Sequence, residues 1–143
     1  MVIIGSAAVD ITSQPEARSD SLLDAGSTTP GSVLITSGGV ARNIAESAHR
    51  ILSSSCENHG AVMLIAPIAC DTPGDLIRSD MTSIGLRKDG LIKITATGSR
   101  SASCVMHLDR KGNLMHGIAD MDVTRNLDYQ QVVNFPSLTY RPK

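Results

Sequence analysis

Ser37-Gly38-Gly39-Val40-Ala41-Arg42-Asn43 stands between a strand-like apolar segment, Ser32–Thr36, and a run with helical periodicity. Two adjacent glycines allow positive φ and let a ligand approach the backbone closely. The helix that follows aims its unpaired N–H groups at the same spot. Asn43, in the first helical turn, carries an amide that both donates to and accepts from a hydroxyl. Upstream, Met1–Ile4 is a short apolar run ended by Gly5, which predicts a buried parallel strand. Asp10 then falls just past the C-terminal end of that strand, the side on which open α/β sheets gather their ligands. Asp10, Gly38, Gly39 and Asn43 are therefore the candidate residues for holding a polyhydroxylated molecule.

Downstream of the glycines the period is helical. Ala41, Ile44, Ala45, Ala48, Ile51 and Leu52 share one face, and Arg42, Glu46 and Arg50 the other. Ala61–Ala66 reads as a second buried strand closed by Pro67. Thr72-Pro73-Gly74-Asp75 reads as a helix start, with Thr72 as N-cap, Pro73 at the first helical position and Asp75 completing a capping-box variant. Leu76, Ile77, Met81 and Ile84 give that helix its buried face, and Gly85 ends it. Strand, helix, strand, helix in this order predicts an α/β unit with a parallel sheet. Leu91–Thr97, Ser101–Leu108 and Leu114–Ala119 are strand-like, and the turn Asp109–Asn113 makes the last two a hairpin, a small sheet added to the main one. Ser13–Pro30 reads as mostly loop, Ser53–Gly60 as loop, and the pattern fades beyond Asp128.

Composition removes several function classes. A formal charge of −1 gives no basic surface for nucleic acid, and 2% aromatic residues give no stacking platform for single strands. No apolar run is long enough to suggest a membrane span. Cys56, Cys70 and Cys104 are odd in number and widely spaced, so a reducing, intracellular setting is expected rather than a disulfide framework. Cys56-x-x-His59 and Cys104-x-x-His107 look like zinc half sites, but residues three apart on a strand point to opposite faces, and no metal site is expected. His49 and His116 read as surface or hairpin residues, Asp109 and Lys111 as solvated turn charges, and Asp120 and Asp122 as an acidic pair after the hairpin. The third glycine of G-x-G-x-x-G is missing, and no Walker-type loop occurs.

In order, Gly5 to Asp10, Gly38-Gly39-x-x-x-Asn43 opening a helix, Asp71-x-x-Gly74 before a second helix, and the hairpin Ser101–Ala119 resemble the N-terminal half of a PfkB-type, ribokinase-like carbohydrate kinase. The form Gly-Gly-Val-Ala-Arg-Asn is similar to pseudouridine kinases, including those fused to a pseudouridine-phosphate glycosidase. The resemblance covers roughly Val2 to Val123. It implies the N-terminal part of a three-layer α/β/α domain with a small β-sheet lid, as a partial domain at 1–128 and an unpatterned tail at 129–143. It implies that Asp10, Gly38, Gly39 and Asn43 bind the ribose of a sugar or of a nucleoside such as pseudouridine, and that the lid pairs subunits in a homodimer. Val40 stands where ribokinases proper have lysine, which favours a nucleoside acceptor. ATP and Mg²⁺ are implied for the intact family member.

The family's Gly-Ala-Gly-Asp motif, which carries the base and the phosphate cradle, does not occur in the 143 residues. Phosphoryl transfer needs both. A truncated product with no catalytic residue of its own, inactive alone and binding no nucleotide tightly, is therefore expected. Two other readings stand beside it. One is a non-catalytic sugar-binding or dimerising module that uses the lid sheet; the other is a nucleotide-binding α/β domain of another family.

Overall fold

A computed structural model describes residues 1–16, 28–55, 61–133 and 135. The segment Met63-Leu64-Ile65-Ala66-Pro67-Ile68-Ala69 contains no polar side chain, and all of it is buried. It forms β4 (Met63–Ala69), the middle strand of a parallel three-stranded sheet with β1 (Val2–Ile4) and β5 (Leu91–Ile94) in the order β1-β4-β5. Pro67 does not close β4, contrary to the sequence expectation, and the reason is local. Met63 N donates to Met1 O on the β1 side and Ala66 N donates to Gly90 O on the other, so the Pro67 nitrogen faces β1. Register with β1 stops at Ile4↔Ile65, so no carbonyl there waits for the proton that proline lacks.

One core cluster joins Val62, Leu64, Ala66 and Ile68 of the β4 segment to helices α1 (Val40–Ser55) and α2 (Thr72–Ser83) through Ala41, Ala45, Ile77 and Met81. Each large aliphatic chain buried this way contributes about 1.5–3 kcal/mol. A smaller cluster of Ala8, Ile94, Ala102 and Val123 joins the sheet to a 3-10 helix at Asp122–Asn126. β1 is parallel as expected but not buried. It is an edge strand among the described residues, leaving Ile4 half-exposed at 51%.

The face of α1 differs from the periodicity reading. Arg42 and His49 are buried, whereas Val40, Ile44 and Ile51 are exposed. His49 is thus no surface residue: its Nε2 donates to Ile84 O at 3.1 Å, tying α1 to the end of α2, while Ser53 Oγ lies 3.4 Å from Nδ1. At α2 the N-cap is Asp71 rather than Thr72. Its carboxylate accepts from Gly74 N at 2.9 Å, which makes Thr72 and Pro73 the first two helical residues. Asp75 completes no capping box and pairs with Arg78 instead.

A second, four-stranded sheet has the order β3-β2-β6-β7. It comprises β2 (Ala8–Pro15), β3 (Gly31–Gly38), β6 (Ala102–Leu108) and β7 (Leu114–Asp120). β2 and β6 run parallel, while β3 and β7 flank them antiparallel. Thus Ser13–Pro15, read as loop, continue a strand, and the expected hairpin forms with its polar turn. Asp109 organises that turn by accepting from Lys111 N, Asn113 N and Asn113 Nδ2, each at 2.8 Å. A short helix, α3 (Tyr129–Val133), opens the stretch read as unpatterned. Most of Ser13–Pro30, with 17–27, and Cys56 and His59 lie outside the described residues.

Candidate functional site

Asp10 is not past the end of β1. It is the third residue of β2, in the added sheet, because Gly5–Ala7 carry the chain out of the core sheet before pairing resumes at Ala8. Side chains alternate along strands, so Ala8, Asp10 and Thr12 share one face with Thr36 and Gly38 of β3 and Cys104 of β6. The carboxylate leans back over Gly38. A Cβ built there would lie 2.0 Å from Asp10 Oδ2, so glycine is what leaves room for it.

Gly39 answers a different demand. Its φ is +94°, and a Cβ would fall 2.7 Å from Ser6 O and 2.9 Å from Ala7 Cα. The glycine pair thus lets the start of α1 lie directly on the backbone that links β1 to β2, where Arg42 N donates to Ser6 O at 3.2 Å. Asp10, Gly38 and Gly39 are brought together at this crossing. Asn43 follows one turn into α1, is exposed, and has its backbone N bonded to Gly39 O at 2.9 Å.

Periodicity missed Arg42. Its side chain is 8% exposed and forms ion pairs with Glu46 at 2.5 Å and with Asp80 of α2. It also donates to Asn43 Oδ1 at 3.2 Å, which commits one acceptor of that amide. Arg42 Nε is buried without a partner. Hydrogen bonding from Arg50 chiefly, with Arg42 helping against partial burial, holds the Glu46 carboxyl below its ordinary value. The signal was available in the pairing of Arg42 with an acid four residues on.

A second polar knot joins the two sheets. Asp71 accepts from Ser101 N at 2.7 Å and Ser101 Oγ at 2.6 Å, and Ser101 Oγ in turn accepts from Ala69 N at 2.8 Å. Burial pushes the Asp71 carboxyl up, but the donors from Ser101 and Gly74 outweigh it and hold it below its ordinary value. Gly74 is required beside it, since a Cβ would meet Ala69 O at 2.5 Å and Ser101 Oγ at 2.7 Å. Asp120 pairs with Arg100 at 2.7 Å and Asp122 with Arg125 at 3.4 Å, so both acids of the expected pair are engaged in ion pairs.

A cavity of about 460 Å³ lies between β3 and α2, lined by Thr36, Ser37, Arg42, Leu76, Ser79 and Asp80 among others. Neither it nor two smaller cavities, of about 330 and 280 Å³, are lined by Asp10, Gly38, Gly39 or Asn43. Of the four, Gly38 is buried, Asp10 and Gly39 are half-buried, and Asn43 is exposed. Cys104 and His107 fall on opposite faces of β6, with Cys104 opposite Ala119 and His107 opposite His116. Among the described residues no group of three or more His, Cys, Asp or Glu is placed to hold a metal ion, and no helix is long and apolar enough to cross a membrane. The Gly39 backbone does not fit a phosphate cradle, since it is packed against Ser6–Ala8, and among the described residues no cluster of acids is placed to hold a cation.

No family model matches the chain, and no curated protein matches it significantly. Solved structures do. A protein from Clostridium perfringens described as a sugar kinase superposes with a TM-score of 0.74 at 23% identity, over 96% of this chain and 40% of its own. Ribokinase from Giardia lamblia gives 0.73 at 19% identity, with 96% and 40% covered. Fructokinase with bound ATP from Xylella fastidiosa gives 0.60 at 21% identity, with 85% and 33% covered. The fold is that of the N-terminal part of ribokinase-like sugar kinases, and the chain spans at most 40% of the length of these structures.

Proposed function

We propose that this chain is the acceptor-binding part of a PfkB-type kinase, a partial domain over residues 1–128, and that it takes the ribose of a nucleoside such as pseudouridine. The observation that carries this reading is the Asp10 carboxylate seated over Gly38 at the head of α1. A carboxylate only accepts hydrogen bonds, so vicinal hydroxyls would donate to it. The Asn43 amide, whose oxygen is already engaged by Arg42, would offer its NH₂ to the lone pair of a hydroxyl. Val40, exposed at 74%, presents an apolar surface beside the glycines where a base could lie. The residues supply no phosphate cradle, so in this reading the chain alone binds and does not transfer, and ATP with Mg²⁺ belongs to a complete site.

Titration calorimetry with pseudouridine, uridine and ribose tests the proposal. Saturable binding of pseudouridine, weakened about tenfold in Asp10→Ala and measurably in Asn43→Ala, is expected, because the first loses a charge-assisted hydrogen bond to a ligand hydroxyl and the second a neutral one. Equal binding by the wild type and both variants refutes it.

A second reading is favoured by a separate observation. Val33, Leu34 and Ile35 of β3 and Leu114, Met115 and Ile118 of β7 are all more than half exposed, on the two outer strands of the added sheet. That pattern suits a homodimer formed through the lid. Sedimentation that reports a monomer at high concentration removes it.

A further inference from the structure

His107 and His116 are direct cross-strand partners on β6 and β7. Both are exposed, and their rings lie parallel to within 8° with centroids 6.3 Å apart. Ser13 of β2 shares this face, and its Oγ lies 2.6 Å from His107 Nδ1. The same hydroxyl donates to Met106 O at 3.5 Å. A hydroxyl has one proton to give. In the tautomer with the proton on Nδ1, Ser13 accepts from His107 Nδ1–H, its own proton is free for the Met106 carbonyl, and the lone pair of the ring is left on Nε2.

We propose that His107 and His116 form an open, two-imidazole site for a divalent transition-metal ion, with Ser13 as the positioning residue that presents His107 Nε2. Directly opposed side chains on antiparallel strands have Cβ atoms about 4.5–5.5 Å apart. An ion bound about 2.0–2.1 Å from each nitrogen spans that gap once the exposed His116 ring turns about its side-chain torsions. Imidazole donors select zinc, copper or nickel and not magnesium or calcium, so this site is unrelated to any ion that would accompany ATP. Among the described residues no third strong ligand joins the pair, and the Asp109 carboxylate is already used by Lys111 and Asn113. Water fills the remaining positions, and a cavity of about 280 Å³ lined by Ser13, Gln14 and His107, though not by His116, leaves room on the His107 side. The bound ion would bridge β6 and β7 beside the register irregularity at His107/Leu108.

Zinc titration of the full chain by calorimetry, with imidazole ¹⁵N NMR, tests the proposal. One zinc per chain is expected, shifting His107 Nε2 and a nitrogen of His116, with a raised melting temperature. His107→Ala or His116→Ala should weaken this binding at least tenfold, and Ser13→Ala by about tenfold, the usual cost of losing an outer-shell partner. No zinc binding, equal affinity in a His107→Ala/His116→Ala double variant, or a shift at His107 Nδ1 overturns the proposal. None of these readouts depends on the sugar-binding reading.

Discussion

Asp71→Ala should unfold the protein more readily by about 2–4 kcal/mol. Loss of the N-cap bond to Gly74 N costs about 1 kcal/mol. Ser101 is 2% exposed, so its backbone N–H is left buried without an acceptor, at a further cost of about 1–3 kcal/mol. The Ser101 hydroxyl loses its acceptor too, but it still receives Ala69 N, which limits that part. For a chain of this size each kcal/mol moves the melting temperature by about 2–4 °C, so a fall of about 10 °C is expected. Asp71→Asn keeps one acceptor oxygen and should lose less. Urea denaturation followed by circular dichroism measures both, and a loss below about 0.5 kcal/mol in Asp71→Ala refutes the reasoning. The same network predicts a pH dependence. The folded state holds the Asp71 carboxyl below its ordinary value of 3.8, so it favours the ionised form. Its stabilisation is complete well above pH 3.8 and is lost as pH falls through the lower folded value. Asp71→Ala should flatten stability in that acidic window.

The two glycines of the motif should respond differently to alanine. Gly38→Ala puts its Cβ against the movable end of Asp10, so ligand binding is expected to fall with little change in urea midpoint. Gly39→Ala meets backbone at Ser6–Ala8 from a positive φ, and should cost about 1–3 kcal/mol; equal stability in the two variants would contradict the packing described. Arg42→Ala leaves Glu46 and Asp80 without their shared cation. Breaking a buried pair costs about 3–5 kcal/mol, less here because both acids reach water, so a loss of about 2–3 kcal/mol is expected in urea unfolding. A loss below 1 kcal/mol would show that the pairs are not maintained in solution.

Much of the fold was legible because patterning and location agree. An apolar run such as Leu64–Ala66 has one stable place, between layers, though the strand runs on through Pro67, and the Asp109–Asn113 turn carries its own hydrogen bonds. Features set by non-local partners were hidden. The cap read at Thr72 falls one residue earlier, on Asp71, whose carboxylate takes Gly74 N and is held in place by Ser101, thirty residues on. Arg42 reads as a surface cation until α2 brings Asp80 to it, and His49 as a polar residue until Ile84 O receives it. The glycine–asparagine motif was visible in sequence, and the structure sets its glycines against Asp10 and the Ser6–Ala8 backbone. That Asp10 belongs to the added sheet was not, since nothing in Gly5-Ser6-Ala7 announces that one sheet ends and another begins.

Pro67 has a wider effect than surviving inside a strand. Past Ile4 the first strand makes one more bond, Gly5 N to Ile65 O at 3.0 Å, and the next β4 position facing it, Pro67, has no hydrogen to give, so leaving the sheet there forfeits no bond from Pro67. The Pro67 nitrogen thus lies next to the point where β1 ends and the chain departs for the added sheet that carries Asp10.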